Sequence, residues 1–198
     1  RLASSSLGFS YFLTSIVKPD IAIITNVFHT HLDNGQFRDL EDIFAEKSKL
    51  IKALGAGGKA VLNLDNPFTA NFARGRNKKD TITYGKDSKA DFWASRVNQS
   101  LGGMIFVLNH GDEKYEVKTK VIGGFQVSVI MPAIICGVMV GMPIADAAKA
   151  AERYSCPPGR MTIIPAIEGA TILDSSYNSS PAALKEALMV LKDLGAGR

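Results

Sequence analysis

The sequence predicts an α/β fold with a mostly parallel sheet, a small antiparallel patch and a break late in the chain. Two apolar, strand-like runs at 20–27 and 59–64 flank an amphipathic helical stretch at 40–54, which gives a β-α-β order. Further along, short alternating runs are separated by Gly and polar residues, as in antiparallel strands. Cys-Pro-Pro-Gly at 156–159 then ends a helical stretch, because two prolines and a glycine cannot continue a helix.

The first half of the chain is predicted to alternate helices with buried strands. Its elements are a helix over 7–16, a strand over 20–27, a helix over 40–54, a strand over 59–64 and a short strand over 81–84. Glycines at 55, 57 and 58 favour the end of the second helix. The strands are short apolar runs, typical of parallel sheets that are covered on both faces.

The second half is predicted to be antiparallel, then helical, and then to enter another domain. Its elements are strands over 91–98, 104–108 and 115–121, a helical stretch over 126–154, strands over 161–164 and 170–173, and a helix over 181–194 capped by Ser180. We therefore predict one domain over 1–157 and the start of a second over 158–198.

Composition narrows the possible functions. The chain has 198 residues, 46% of them hydrophobic, and a net charge of +4 with dispersed Lys and Arg. Its densest basic stretch, RGRNKK at 74–79, is interpreted as a solvated loop, so we predict no nucleic-acid partner. The two cysteines, Cys136 and Cys156, form no disulfide framework, which favours a reducing compartment such as the cytoplasm.

Neither a signal peptide nor a membrane span is predicted. The chain opens with RLASSS and without Met, so we expect it to be cut from a longer protein. The stretch 127–145 is almost free of charge, but prolines at 132 and 143 interrupt it, and no close basic anchors flank it.

Polar side chains follow both predicted parallel strands. In TNVFHTHLD at 25–33, His31 and Asp33 suit a divalent metal near phosphate, although exposed loop histidines are an equally good interpretation. Asn63, Asp65 and Asn66 end the second strand, where turn chemistry explains at least one of them. The ends of parallel strands are where open α/β sheets build ligand sites.

A lysine on the intervening helix and a late loop provide the other candidates. In AEKSKLI at 45–51, Lys47 either lies on a solvated face, together with Glu46 and Lys49, or enters a cleft to bind phosphate or form a carbamate. The late candidates in 173–181 precede a helix whose N-terminus favours anions, and Arg160 at 157–161 could bind phosphate with two N–H groups; the alternative is a capped loop. These late residues are Arg160, Asp174, Tyr177, Asn178 and Ser179.

Taken in order, these stretches resemble the Mur ligases, the ATP-dependent amide-forming ligases of peptidoglycan synthesis. The resemblance implies the second half of the central ATP-binding domain followed by the start of a Rossmann-like C-terminal domain. The form D-x-x-Y-N-x-x-P at 174–181 is most similar to MurF, which adds D-alanyl-D-alanine to UDP-N-acetylmuramoyl tripeptide, and next to MurE. The resemblance to the Mur ligases also implies a cytoplasmic, monomeric enzyme that acts in cell-wall biogenesis, cell shape and cell division.

The resemblance also assigns roles near the first strand end. His31 matches the histidine that binds the second Mg²⁺, and Lys47 matches the lysine that becomes carbamylated. Asn26 and Asp33 belong to the same motif. The strand-end Asn-x-Asp of the family matches Asn63 and Asp65.

The remaining matches concern the nucleotide. Arg160 and Asp174 match residues that contact ATP across the domain cleft, and Tyr177 and Asn178 match the loop there. The helix that contacts adenine departs from the family pattern. It reads GGFQVSVI at 123–130, so we expect Gln126 to provide one amide contact, whereas Val129 cannot provide the second.

The implied reaction uses ATP and Mg²⁺ to form an acyl phosphate on a UDP-N-acetylmuramoyl peptide. D-Alanyl-D-alanine or an amino acid then attacks it. The chain lacks a Walker A string, so we expect the phosphate loop upstream and the chain alone to be inactive. The alternatives are a MurE-like ligase, a catalytically silent binding or scaffold relative, and the related folylpolyglutamate and cyanophycin synthetases.

Overall fold

The computed structural model describes residues 9–28, 37–177 and 180–195. The chain forms two compact units, Arg1–Trp93 and Ala94–Arg198. The predicted domain boundary near residue 158 lies within the second unit, and it stays a prediction.

The first unit contains the parallel part of the sheet. Its elements are α1 (Phe9–Ile16), β1 (Ile21–Ile24), α2 (Leu40–Lys52), β2 (Lys59–Asn63), α3 (Pro67–Arg74), β3 (Thr81–Gly85) and the start of β4 (Phe92–Ser100). Strands β1, β2, β3 and the start of β4 pair in parallel in that order. The predicted β-α-β order and parallel pairing are confirmed.

The centre of this sheet is buried on both faces. Three consecutive residues of β2, Ala60, Val61 and Leu62, are 0% exposed, although their side chains alternate between the two faces. Ile43 and Ile51 of α2 belong to the same apolar cluster as Leu62. An apolar run without polar alternation forms this strand because both sides are covered.

Helix α2 has favourable residues at both ends. The side chain of Asp39 caps it by accepting a hydrogen bond from the backbone N–H of Asp42 at 2.8 Å. Acidic side chains lie in its first turn and Lys49 and Lys52 in its last, which complements the helix dipole. These signals fix the register of the helix that carries Lys47.

Helix α3 was not predicted, because its first residues have turn chemistry. Asn66 Oδ1 accepts hydrogen bonds from the backbone N–H groups of Phe68 at 3.2 Å and Thr69 at 3.4 Å. Pro67 occupies the first helical turn, where its missing N–H group is not needed. The Asn-Pro pair therefore starts a helix directly after β2.

The second unit contains the antiparallel strands and the later helices. Its elements after β4 are β5 (Gly103–His110), β6 (Glu113–Thr119), α4 (Val127–Met139), α5 (Ile144–Ala150), β7 (Thr162–Pro165), β8 (Thr171–Asp174) and α6 (Pro181–Asp193). Strand β5 pairs antiparallel with β6, and β7 with β8. The predicted antiparallel patch is confirmed. Within the described ranges, no helix has the length and apolar character that crossing a membrane requires.

One apolar cluster in this unit joins segments from both sides of residue 158. We call it the Ile122 cluster, and its buried members are Ile122, Met161, Ala187 and Val190. Phe125, Ile163, Leu173 and Leu194 pack against it. The loop before α4 therefore shares a core with β7, β8 and α6.

Candidate functional site

The carboxyl ends of β1 and β2 lie at one edge of the sheet, and asparagine side chains bind them together. Asn63 Nδ2 donates to the backbone oxygen of Thr25 at 2.9 Å and to Asn26 Oδ1 at 3.3 Å. Asn66 Nδ2 donates to the backbone oxygen of Val27 at 3.1 Å. Both asparagines are buried. They hold residues 25–27, which follow β1, in a fixed position.

Lys47 extends from α2 to the same place. Its Nζ donates a hydrogen bond to the backbone oxygen of Asn26 at 2.9 Å. Burial lowers the pKa of Lys47, because the charged ammonium loses its hydration. Asn26, Lys47 and Asn63 are therefore brought together, as expected for side chains that meet at one sheet edge.

The solvated-face interpretation applies to Lys49 but not to Glu46. Lys49 is 40% exposed, and its Nζ lies 2.6 Å from Glu46 Oε2. Glu46 is 1% exposed and also accepts a hydrogen bond from the backbone N–H of Ser10 at 2.9 Å. Glu46 thus connects α2 to α1, a contact that sequence reasoning missed.

Asp65 lies beside the next strand. Its Oδ1 accepts a hydrogen bond from the backbone N–H of Lys86 at 2.9 Å, and its own N–H donates to Asn63 Oδ1 at 2.9 Å. A Cβ added to Gly85 would approach Asp65 Oδ1 to 2.8 Å, so only glycine fits there without a shift. One carboxylate oxygen of Asp65 therefore has a structural contact.

The predicted metal site is described only in part. His31 and Asp33 lie outside the described residues. Among those that are described, no group of three or more His, Cys, Asp or Glu side chains is placed to hold a metal ion. A lysine ammonium cannot bind Mg²⁺, whereas a carbamate supplies the oxygen ligands that Mg²⁺ prefers. The lowered pKa of Lys47 favours the neutral amine that forms a carbamate, so its chemistry fits the predicted role.

A second group of candidates lies in the second unit, around the start of α4. Gln126 is 6% exposed, and its Nε2 donates to Cys156 Sγ at 3.3 Å. Val129, one turn further along α4, is 43% exposed. The segment before Gln126 is held by Gln99, whose Oε1 accepts a hydrogen bond from the backbone N–H of Gly123 at 2.9 Å.

Gln99 is a further residue that the sequence did not indicate. Its Nε2 donates to Asp193 Oδ2 at 3.0 Å, so one side chain links β4, the loop before Gln126 and the end of α6. Asp193 is 94 positions away along the chain, and no local pattern reveals such a contact.

The late loop places three of the predicted residues close to the Pro-Pro-Gly turn. The Arg160 guanidinium carbon lies 4.4 Å from the centre of the Tyr177 ring. Hydrogen bonds from Ser176 hold the pKa of the Asp174 carboxyl below its usual value, and the backbone N–H of Ser176 is 3.0 Å from Asp174 Oδ1. Asn178 and Ser179 lie outside the described residues.

Comparison with known proteins identifies the family. Residues 2–137 match the Mur ligase middle domain. This chain belongs to the Mur ligase family. The UDP-N-acetylmuramoyl-tripeptide--D-alanyl-D-alanine ligase of Mycobacterium tuberculosis is 30% identical over 195 residues, covering 96% of this chain. The UDP-N-acetylmuramoyl-L-alanyl-D-glutamate--2,6-diaminopimelate ligase of Thermosynechococcus vestitus is 30% identical over 182 residues, covering 90%.

A solved structure supports the same family. MurF ligase from Thermotoga maritima in complex with ADP is 26% identical, with a TM-score of 0.83 over 97% of this chain and 43% of that one. This Mur ligase chain spans 37% of the M. tuberculosis ligase and 36% of the T. vestitus ligase. Arg160, Asp174 and Tyr177 lie beyond the matched middle domain, and their roles stay predictions.

Burial of Lys47 predicts a pH dependence of stability. Its folded-state pKa is below the ordinary 10.5, so between those two values the unfolded chain binds more protons. We expect the contribution of Lys47 to the free energy of unfolding to rise with pH in that window. Urea unfolding at a series of pH values should show that the free energy of unfolding rises less steeply with pH in Lys47→Met than in the unsubstituted chain. The exposed Lys52 provides the control, since Lys52→Met should leave the rise unchanged. If the free energy of unfolding rises equally with pH in the unsubstituted chain and in Lys47→Met, the prediction is wrong.

Proposed function

We propose that this chain is part of an ATP-dependent ligase of peptidoglycan precursor synthesis that adds D-alanyl-D-alanine to a UDP-N-acetylmuramoyl tripeptide. The main support is the half-buried Lys47, whose Nζ lies 2.9 Å from the backbone oxygen of Asn26 at the carboxyl ends of parallel strands. The M. tuberculosis relative is named for this reaction. The string from Asp174 to Pro181 has the form most similar to MurF.

In the proposed reaction, the terminal carboxylate of the peptide takes the γ-phosphoryl group of ATP, which forms an acyl phosphate and releases ADP. The amine of D-alanyl-D-alanine attacks the acyl carbon, the bond to the phosphate oxygen breaks, and the nitrogen loses a proton as inorganic phosphate leaves. The protein has to neutralise charge and hold the reactants in line, because phosphoryl transfer needs positioning more than covalent help. We further propose that the full-length ligase of which this chain is a part, called the full-length parent below, works in the cytoplasm as a monomer.

Lys47 is proposed to act as a carbamate. The neutral amine attacks CO₂, a C–N bond forms, and a proton is released to leave an anionic side chain. Its oxygen atoms and His31 would hold Mg²⁺, which offsets negative charge on the phosphates when bound. Asn63 supports this position indirectly by fixing Asn26, whose backbone oxygen contacts Lys47.

The second unit is proposed to bind the nucleotide through Gln126, Arg160 and Asp174, with Tyr177 in the same loop as Asp174. Gln126 would contact adenine, Arg160 would bind phosphate oxygens with its forked N–H groups, and Asp174 would contact the nucleotide from the loop that also carries Tyr177. The nucleotide roles of Asp65 and Asn178 stay predictions from the sequence.

Acceptor-dependent release of phosphate tests the proposal. The full-length parent would be supplied with ATP, Mg²⁺ and either UDP-N-acetylmuramoyl tripeptide or UDP-N-acetylmuramoyl dipeptide, together with D-alanyl-D-alanine, a single amino acid such as diaminopimelate, or no acceptor. Release that needs the dipeptide, with the amide product identified by mass spectrometry, supports the MurF-like reaction. Release with UDP-N-acetylmuramoyl dipeptide and diaminopimelate reassigns the parent to a MurE-like reaction, an alternative supported by the T. vestitus relative.

A catalytically silent relative is a second candidate, and the sequence at α4 favours it. Val129 lies where the family helix carries a second adenine-binding asparagine, and its side chain is 43% exposed. Calorimetric titration with ATP and Mg²⁺ separates the candidates. Binding without release in any acceptor arm, or no binding, supports the silent relative.

A further inference from the structure

Among the residues that the structure describes, Arg160 has an aromatic neighbour and no acidic partner. Its guanidinium carbon lies 4.4 Å from the Tyr177 ring centre, well within the range of a cation–π contact. In the described part of the chain, no carboxylate forms an ion pair with Arg160. The Asp174 carboxylate instead accepts a hydrogen bond from Ser176. The ring of Tyr177 is therefore the contact that orients the guanidinium.

The backbone fixes the position of that ring. The backbone N–H of Tyr177 donates to the backbone oxygen of Gly159 at 2.9 Å. Gly159 has a φ of +75°, and a Cβ there would lie 2.9 Å from Tyr177 Cβ. The N–H of Gly159 in turn donates to Thr162 Oγ1 at 3.3 Å, and Thr162 pairs with Asp174 across β7 and β8. Only glycine allows the turn and the loop to approach this closely.

Tyr177 contributes little by burial, because its side chain is 57% exposed. A ring that served packing alone would be covered by apolar neighbours, yet Tyr177 is absent from the Ile122 cluster. We propose that Tyr177 is a positioning residue that holds the Arg160 guanidinium across its ring, in the direction needed to meet a phosphate. The inference rests on the proposed nucleotide role of Arg160 and adds a role for the tyrosine.

Two substitutions in the full-length parent separate the ring from its hydroxyl group. Tyr177→Phe keeps the ring and should leave the KM for ATP within about twofold of the parent value. Tyr177→Leu removes the ring and should raise that KM by about 2- to 5-fold, the size expected for an exposed cation–π contact. The double variant Tyr177→Leu with Arg160→Ala should have the same KM for ATP as Arg160→Ala alone, because the tyrosine acts through the arginine.

A chemical readout without nucleotide makes the stack itself testable. Phenylglyoxal modifies accessible arginines, and peptide mapping by mass spectrometry follows Arg160 alone. Modification should be several-fold faster in Tyr177→Leu and unchanged in Tyr177→Phe, with equal thermal unfolding midpoints.

Three results would overturn the inference. Equal modification rates in all variants would show that the ring does not hold the guanidinium. If Tyr177→Phe raises the KM for ATP as much as Tyr177→Leu does, the effect belongs to the hydroxyl group. Multiplying effects in the double variant would make Tyr177 a direct ligand. If Arg160→Ala leaves the KM for ATP unchanged while modification still depends on the ring, the proposed phosphate role fails and the stack stands.

Discussion

Replacing Lys47 by alanine is expected to lower phosphate release by the full-length parent about a hundredfold or more, the loss typical of removing one group that stabilises developing charge. The alanine cannot form a carbamate, and it also removes the hydrogen bond to the backbone oxygen of Asn26. The measurement is acceptor-dependent release at saturating ATP and UDP-linked peptide. Nucleotide affinity should fall much less than turnover.

A lysine on the same helix gives the matched control. Lys52 lies in the last turn of α2 and is exposed, so Lys52→Ala changes the same residue type without touching the strand ends. Its release rate should equal that of the parent. Undiminished release in Lys47→Ala, or the same loss in both variants, would remove Lys47 from the mechanism.

Replacing Glu46 by alanine is expected to lower the free energy of unfolding by about 2–4 kcal/mol, because it leaves a buried N–H group unsatisfied and opens a cavity. The N–H group belongs to Ser10, which donates to Glu46 Oε1 at 2.9 Å. Lys49 also loses its ion pair, but it is 40% exposed and can turn to water. Urea unfolding followed by circular dichroism measures the change.

Two controls isolate the acceptor oxygen of Glu46. Glu46→Gln keeps the volume and an oxygen for Ser10, so it should be less destabilising than alanine. Glu41→Ala removes an exposed carboxylate from the first turn of the same helix and should cost less than about 1 kcal/mol. If all three variants unfold at the same urea concentration, Glu46 does not anchor α1.

The parallel strands could be predicted from the sequence because burial on both faces leaves a strong local signal. Residues 20–27 and 59–64 were predicted as strands, and the structure places β1 at Ile21–Ile24 and β2 at Lys59–Asn63. Strand β1 ends at Ile24, three residues earlier than predicted, and the asparagine contacts to Thr25 and Val27 follow directly. The existence and order of the strands follow from local hydrophobicity, whereas the length of each strand depends on contacts with residues distant in the sequence, which no local pattern describes.

Helix α3 carried a readable signal that was interpreted as a turn. Asn and Pro favour both turns and helix starts, and only the helical residues that follow decide between them. Asn66 performs the capping role on Phe68 and Thr69. The structure adds its second contact, from Nδ2 to Val27, which lies 39 positions earlier.

The residue types of the candidate site could be predicted from the sequence, but the directions in which their side chains point could not. Periodicity left Lys47 and Lys49 equivalent, and only packing shows that Lys47 points to Asn26 while Lys49 pairs with Glu46. Glu46 looked like a solvated partner because a buried glutamate is rare. Whether His31 joins Lys47 at a metal stays a prediction.

The Ile122 cluster determines how the protein can be dissected. Cutting the chain before Pro158 would remove Met161, Ala187 and Val190 and uncover Ile122 together with Phe125, one residue before Gln126. An isolated middle domain would then present an exposed apolar surface next to Gln126, the residue proposed to contact adenine. Compounds selected against such a truncated target would be drawn to a surface that the intact protein keeps covered. Screening for inhibitors therefore calls for a chain that retains α6.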